Sequence, residues 1–341
     1  MNGSQVGGGF KTCSSYFNCR SPIAMSTRLD SASFISRYYS SMITSPKRVY
    51  ALVSIALVII IILGILYVRA VPIRLIGLKV FEGQYLSGKV FSFGITGFHE
   101  KKVAVNGTLA DYASARGTAV ALVRNAETNA VDVMMLSPKT QALSADGGGK
   151  ASVSVSPDGT MVAYAALTNA PADTYFTAQL SAWTIKVLDV KTGEVTLMGT
   201  GFGPEFFESN GKLMLLFTGP TGITVADVST KTSQTTFFLN PGLIDYAAHI
   251  SRDGKYLAIP NGLTKNYELF SVTHIEAPMG LNPLGNIPQT LVHGAFNGDS
   301  FYAVERQTNG TAHIWRFKAS MPPAGVKAFD LPVTSHYRII P

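Results

Sequence analysis

A glycine followed at once by a short apolar run recurs five times along this chain. The copies begin at Gly117 (GTAVALV), Gly159 (GTMVAYAA), Gly211 (GKLMLLF), Gly254 (GKYLAI) and Gly298 (GDSFYAV), at spacings of 42, 52, 43 and 44 residues. Two copies carry an Asp-Gly turn, Ser156-Pro157-Asp158-Gly159 and Ser251-Arg252-Asp253-Gly254, and a third has Asn210-Gly211. Asp-Gly and Asn-Gly tolerate the positive φ angles of a tight turn, so each marker is expected to join two strands. Asp158 and Asp253 should bond their own turn backbone, with Gly159 and Gly254 supplying the bend. A second, alternating apolar run follows each marker: VDVMMLS (131–137), TIKVLDV (184–190), ITVADVS (223–229), YELFSV (267–272) and HIWRF (313–317). Adding one strand before the glycine and one beyond the second run gives four short strands per unit.

One four-stranded sheet cannot cover its own two faces. Units of this size that repeat every 40–50 residues bury those faces by stacking around an axis, as in a β-propeller. Five markers account for five blades over residues 108–332. The ends hold strand-like runs at 75–81, 89–95, 101–105 and 335–340. Three strands from one end and one from the other would make a sixth, composite blade that closes the ring and removes a free sheet edge. The expected fold class is therefore all-β, a propeller of six four-stranded blades over residues 69–341.

The Ser-Pro-Asp-Gly turn before an apolar strand, followed by Leu188-Asp189-Val190 and Thr192-Gly193-Glu194, resembles the TolB-like, WD-type β-propeller repeat. The resemblance covers residues 105–320. It implies a fold and no ligand. Only the second and fourth copies keep Asp-Gly, and the helical N-terminal domain of periplasmic TolB has no counterpart here, so its partners are not implied.

In place of that domain stands the segment Val49–Val68, 20 residues without a charge, flanked by Lys47-Arg48 and Arg69. At 1.5 Å per residue it would span about 30 Å, the hydrocarbon thickness of a bilayer. Tyr50 and Tyr67 stand at its ends, where aromatic rings favour the headgroup layer. This one segment supplies roughly four-fifths of the mean hydropathy of +0.21. Its length and its position after 48 residues favour an uncleaved signal anchor over a signal peptide. The basic excess lies before it: six Lys and Arg against Asp30. The expected topology is single-pass in the plasma membrane, with residues 1–48 a disordered basic cytoplasmic tail and residues 69–341 extracytoplasmic.

That division disposes of the net charge of +7 as a sign of nucleic-acid binding. Five of the seven excess charges belong to the tail, leaving 22 basic and 20 acidic residues beyond it. Both cysteines, Cys13 and Cys19, are also in the tail and lack zinc-site spacing.

Catalytic patterns are sparse. There is no Gly-x-Ser-x-Gly elbow and no His-Glu-x-x-His. The six histidines share no spacing. Gly199-Thr-Gly-Phe-Gly203 resembles a phosphate loop, but strand rather than helix follows it. No catalytic residue, metal site or cofactor is expected. Two long connections stand out. Residues 167–182 carry Tyr175 and Phe176, candidate aromatic anchors for a partner. Residues 274–289, with three prolines, should project from the opposite face. The expected function is a membrane-anchored, extracytoplasmic platform that binds a protein or an envelope component. The alternative is a hydrolase or lyase with its site in the central channel, marked by acids or histidines converging at one mouth.

Overall fold

A computed structural model describes residues 46–69, 75, 78–94, 97–144, 148–167, 179–238, 247–261, 266–288, 291–307, 311–320, 323, 325–331 and 336–340. The chain divides between Ile65 and Leu66 into two units. Helix α1 (Pro46–Arg69) follows from an unbroken run of apolar residues with no internal proline. An ordinary globular helix buries one stripe. Along α1 the described side chains are exposed on every side, with Leu52 58%, Val53 59% and Ile60 65% accessible. Among the described residues no helix is long and apolar enough to cross a membrane. The transmembrane segment expected over 49–68 thus rests on the sequence.

The second unit is built of strands. The first five are β1 (Lys79–Gly94), β2 (Gly97–Ala115), β3 (Thr118–Arg124), β4 (Val131–Ser137) and β5 (Gln141–Ser144). Next come β6 (Lys150–Val155), β7 (Met161–Leu167), β8 (Trp183–Asp189) and β9 (Val195–Thr200). Then follow β10 (Phe202–Ser209), β11 (Lys212–Gly219), β12 (Gly222–Asp227) and β13 (Thr232–Phe238). The fourth group is β14 (His249–Ile250), β15 (Tyr256–Asn261), β16 (Asn266–His274) and β17 (Gly280–Pro288). The last is β18 (Leu291–Asn297), β19 (Ser300–Arg306), β20 (Ala312–Lys318) and β21 (Gly325–Leu331), with β22 (His336–Ile340) at the C-terminal end.

Each of the last four groups is a separate four-stranded antiparallel sheet in sequence order, and the remaining strands form one six-stranded sheet, β22-β1-β2-β3-β4-β5. The arrangement is an all-β propeller with four separate four-stranded blades, not the six expected. The reason lies in β2. Its first half pairs with β1 and its second half with β3, so Thr108 is opposite both Tyr85 and Arg124. The end of the composite unit and the start of the next are one continuous strand. Gly107 makes that possible. Its φ is +140°, and a Cβ there would sit 2.4 Å from the Arg124 carbonyl oxygen. The ends do meet as expected: Lys79 pairs with Ile340, Val80 with Ile339 and Phe81 with Arg338.

Strands β2, β6, β10, β14, β18 and β22 neighbour one another in turn, and β22 returns to β2. Six apolar clusters occur among the described residues. Five lie between successive sheets, and one, with Phe81, Val90, Leu109 and Tyr112, lies inside the six-stranded sheet. Strand patterns follow from this stacking. Second strands β3 and β7 are buried along nearly their whole length. They read as continuous apolar runs because both faces are covered. Strand β4 alternates between buried and half-buried positions.

Candidate functional site

The inner strands are stapled to one another by polar side chains. Asp111 on β2 forms an ion pair with Arg338 of β22. Its Oδ2 accepts the Val153 N–H of β6 at 2.8 Å, and its Oδ1 accepts the Tyr112 N–H at 2.8 Å. Arg338 also donates to the Val153 carbonyl at 3.3 Å. Glu205 on β10 repeats the device. Its Oε2 accepts the Ile250 N–H of β14 at 3.0 Å, and its Oε1 lies 2.6 Å from Nδ1 of His249. Between these groups is a cavity of about 30 Å³, lined by Tyr112, Ser114, Glu205, Arg252, Arg338 and Ile340 among others. That is room for about one water. Both oxygens of Glu205 and Oδ2 of Asp111 thus hold neighbouring strands, and Oδ1 of Asp111 bonds the backbone of its own strand. Among the described residues no group of three or more His, Cys, Asp and Glu side chains gathers.

One cation in this region has a different setting. Lys79 on β1 donates from Nζ to the Ser114 hydroxyl at 2.8 Å. Burial, and then the charges of Arg252 and Lys101, push its pKa below the ordinary 10.5. Burial likewise lowers the pKa of Arg252, opposed by Glu208.

Arg252 also faces a larger space. A cleft of about 650 Å³ opens between the β10–β13 and β14–β17 sheets, among Glu208, Arg252, Asp253, Lys255, His274 and Glu276. Its size falls in the range of ligand sites, and its rim is polar. It lies on the face that carries the marker turns. A second hollow of about 320 Å³ adjoins it and shares Ile275 and Glu276. The tip of the β16–β17 hairpin and Ser209-Asn210 border both hollows. Residues 274–289 were expected to project. Instead 280–288 pair with β16 as β17, and the tip folds onto the neighbouring sheet. Ile275 and Met279 enter that sheet's apolar cluster with Phe207 and Leu216, and the Met279 N–H donates to the Thr236 carbonyl at 2.8 Å. Two apolar side chains at the tip make docking more favourable than exposure.

The two Asp-Gly turns have the same internal network. Ser156 donates to Asp158 at 2.6 Å and accepts the Met161 N–H at 2.9 Å. Ser251 donates to Asp253 at 2.8 Å and accepts the Tyr256 N–H at 2.9 Å. Gly159 and Gly254 have φ of +80° and +69°. Asp253 also pairs with Lys255 at 2.9 Å on the cleft rim. In both aspartates burial pushes the pKa up, but the hydrogen bonds outweigh it and hold each below 3.8.

The glycine run 199–203 is a close crossing of backbones. A Cβ on Gly201 would sit 2.4 Å from the Thr218 carbonyl oxygen. Of the histidines, His99, His249, His274 and His313 are spread over three sheets. His313 pairs with Asp330. Tyr175 and Phe176 lie outside the described residues. Sequence reasoning missed Asp111, Glu205, Arg252 and Arg338. The signal available was a charge within an apolar run on a first strand, as in Leu109-Ala-Asp111-Tyr112.

In fold the chain is similar to TolB from Acinetobacter baumannii, with a TM-score of 0.56 and 16% identity, over 80% of this chain and 68% of that one. It is also similar to a chain of the nidogen/laminin complex, with a TM-score of 0.54 and 10% identity, over 77% of this chain and 98% of that one. At such identities the likeness is one of fold, a TolB-like β-propeller. No protein-family model matches the sequence, and no curated protein matches it.

Proposed function

We propose that this chain is a membrane-anchored propeller that binds a protein or an envelope component on the face of the marker turns. The observation that carries the reading is the contrast between the two spaces. The cavity among the inner strands holds about one water and the carboxylates beside it are engaged, whereas the 650 Å³ cleft is open and rimmed by charge. A mixed-charge rim suits a polypeptide partner, steering it and fixing its register. One fold neighbour comes from a complex of two proteins, nidogen and laminin.

The finer architecture belongs to the same reading. The six-stranded sheet serves as two of six blade positions. Support comes from the ring of six inner strands and from the apolar cluster inside that sheet. The Phe93 N–H also bonds to the Leu78 carbonyl at 3.3 Å, which folds β1 back on its own start. The anchor is the 20-residue apolar segment at 49–68, supported by α1 and its exposed apolar side chains. The basic excess in residues 1–48 keeps the tail in the cytoplasm and the propeller outside. Tethering raises the platform's effective concentration near partners in the same envelope.

The test is affinity capture with the full chain, solubilised from its membrane. A discrete partner should bind the native chain and a Lys327→Glu control on β21. Capture should fall about tenfold or more in the double variant Lys255→Glu, Glu276→Lys. No partner, together with turnover in a hydrolase and lyase panel, would replace this reading with the enzymatic one.

A further inference from the structure

We infer that the hollow beside the β16–β17 tip receives a lysine or arginine side chain from a bound polypeptide. The inference deepens the reading above, from which it takes the polypeptide nature of the partner. The hollow, about 320 Å³, adjoins the larger cleft and shares Ser209, Asn210, Ile275 and Glu276 with it. It is built on one face of the β10–β13 sheet. Met214 is opposite Asp227, Val225 is opposite Gln234, and Val225 stands two residues before Asp227 on β12. These four side chains therefore share that face. The tip covers part of it. Ile275 belongs to the same apolar cluster as Val225, with Met214 packed against it. The hollow is the space left beside that contact.

Its lining changes character with depth. Val225 and Ile275 are buried and Met214 is half-buried, whereas Asn210, Gln234 and Glu276 are exposed. An apolar wall below a polar rim suits a side chain with an apolar stem and a polar head.

The rim charges decide the sign of that head. The lining has one cation, Lys212, and two carboxylates, Asp227 and Glu276. Lys212 Nζ is 3.5 Å from Asp227 Oδ2. The other oxygen of Asp227 accepts the Ser229 and Thr230 N–H groups at 2.9 and 3.2 Å. Lys212 and Asp227 thus match each other. In the adjoining cleft Lys255 pairs with Asp253 at 2.9 Å, and Glu208 bears on Arg252. Glu276, which lines both spaces, has no ion pair among the described residues. One carboxylate in excess selects a cation over an anion or a neutral group. Lysine brings an ammonium on a four-carbon stem, and arginine a planar guanidinium that matches a carboxylate in two bonds. A backbone lying in the cleft would set such a side chain past Glu276 and along Met214 and Val225.

The experiment uses the full chain in a neutral detergent with acetylated, amidated pentapeptides. These are alanine except at the centre, which is lysine, arginine, norleucine or glutamate, and saturation-transfer NMR reads their affinities. The lysine and arginine peptides should bind about fivefold tighter than the norleucine peptide, the upper range for an accessible ion pair, and the glutamate peptide weakest. Glu276→Gln should remove most of that preference, and Glu276→Asp should keep part of it. Glu127→Gln, the same loss of charge at an exposed acid between β3 and β4, should leave it unchanged. Met214→Ser should weaken the lysine and norleucine peptides alike, which attraction between charges alone would not produce. Basic peptides that bind no tighter than norleucine, or a preference unchanged in Glu276→Gln, would overturn the site. A preference lost equally in Glu127→Gln would overturn it too. If the preference appears and no natural partner is captured, the platform reading fails while the site stands. If a natural partner is captured equally by the native chain and Glu276→Gln, the platform stands and the site fails.

Discussion

Asp111→Ala should loosen the closure of the ring. The carboxylate links the C-terminal strand to the first inner strand through Arg338, 227 residues away, and bonds the next inner strand through the Val153 N–H. The Asp111 side chain is 9% exposed and that of Arg338 25%. Removing one member of a buried pair costs about 3–5 kcal/mol, and the partial exposure of Arg338 argues for the lower end. The orphaned Val153 N–H adds about 1 kcal/mol. For a domain of this size each kcal/mol moves Tm by about 2–4 °C, so a fall of roughly 10 °C is expected. Near-ultraviolet circular dichroism of the full chain in a mild detergent reads it. Asp111→Asn, which keeps an acceptor for Val153, should lose about half as much. The double variant Asp111→Leu, Arg338→Met should recover most of the loss, since an apolar pair replaces a buried ion pair at little cost. An Asp111→Ala chain that melts within 2 °C of the native one would refute the argument that this pair holds the ring.

Gly201→Ala should destabilise by about 1–3 kcal/mol, because a Cβ would press on the Thr218 carbonyl at a φ of +154°; a urea midpoint equal to the native one would contradict this. Acid should weaken the fold through the turn aspartates. The pKa of each of Asp158, Asp189, Asp227, Asp253 and Asp330 is depressed in the folded state, below 3.8. Their stabilisation is complete above the unfolded pKa near 4 and is lost as pH falls through the lower folded values. Urea midpoints should be flat from pH 7 to 5 in this respect and decline below 4, and a midpoint that rises on acidification would reverse the sign. Cys13 and Cys19 should react with a membrane-impermeant maleimide only in inverted vesicles, and labelling in intact cells would reverse the topology.

The period of the fold was legible because each marker combines a turn residue with an apolar strand. Asp-Gly at 158–159 and 253–254 fixes where a first strand ends and a second begins. The run-on between units was not legible. Asn106-Gly107 has the composition of a hairpin turn, yet Gly107 bends a strand that continues to Ala115. The docking of the 275–279 tip depended on which neighbour Ile275 and Met279 would meet. Lys150 gives a sharper case. It opens a strand, where a lysine reads as solvent-facing, yet it is fully buried with Nζ 2.6 Å from the Val131 carbonyl. The channel pairs were hidden for the same reason. Asp111 finds Arg338, and Glu205 finds His249, only after distant segments close into a ring.

The most direct test of the platform is site-specific photocrosslinking in the native membrane. A crosslinker at position 276, which borders both hollows, is compared with one at position 327, on the outer strand of the last sheet. The account predicts one discrete polypeptide crosslinked from 276 and absent from 327. The same products from both positions, or none from 276 in a folded chain that turns over a substrate, would contradict it.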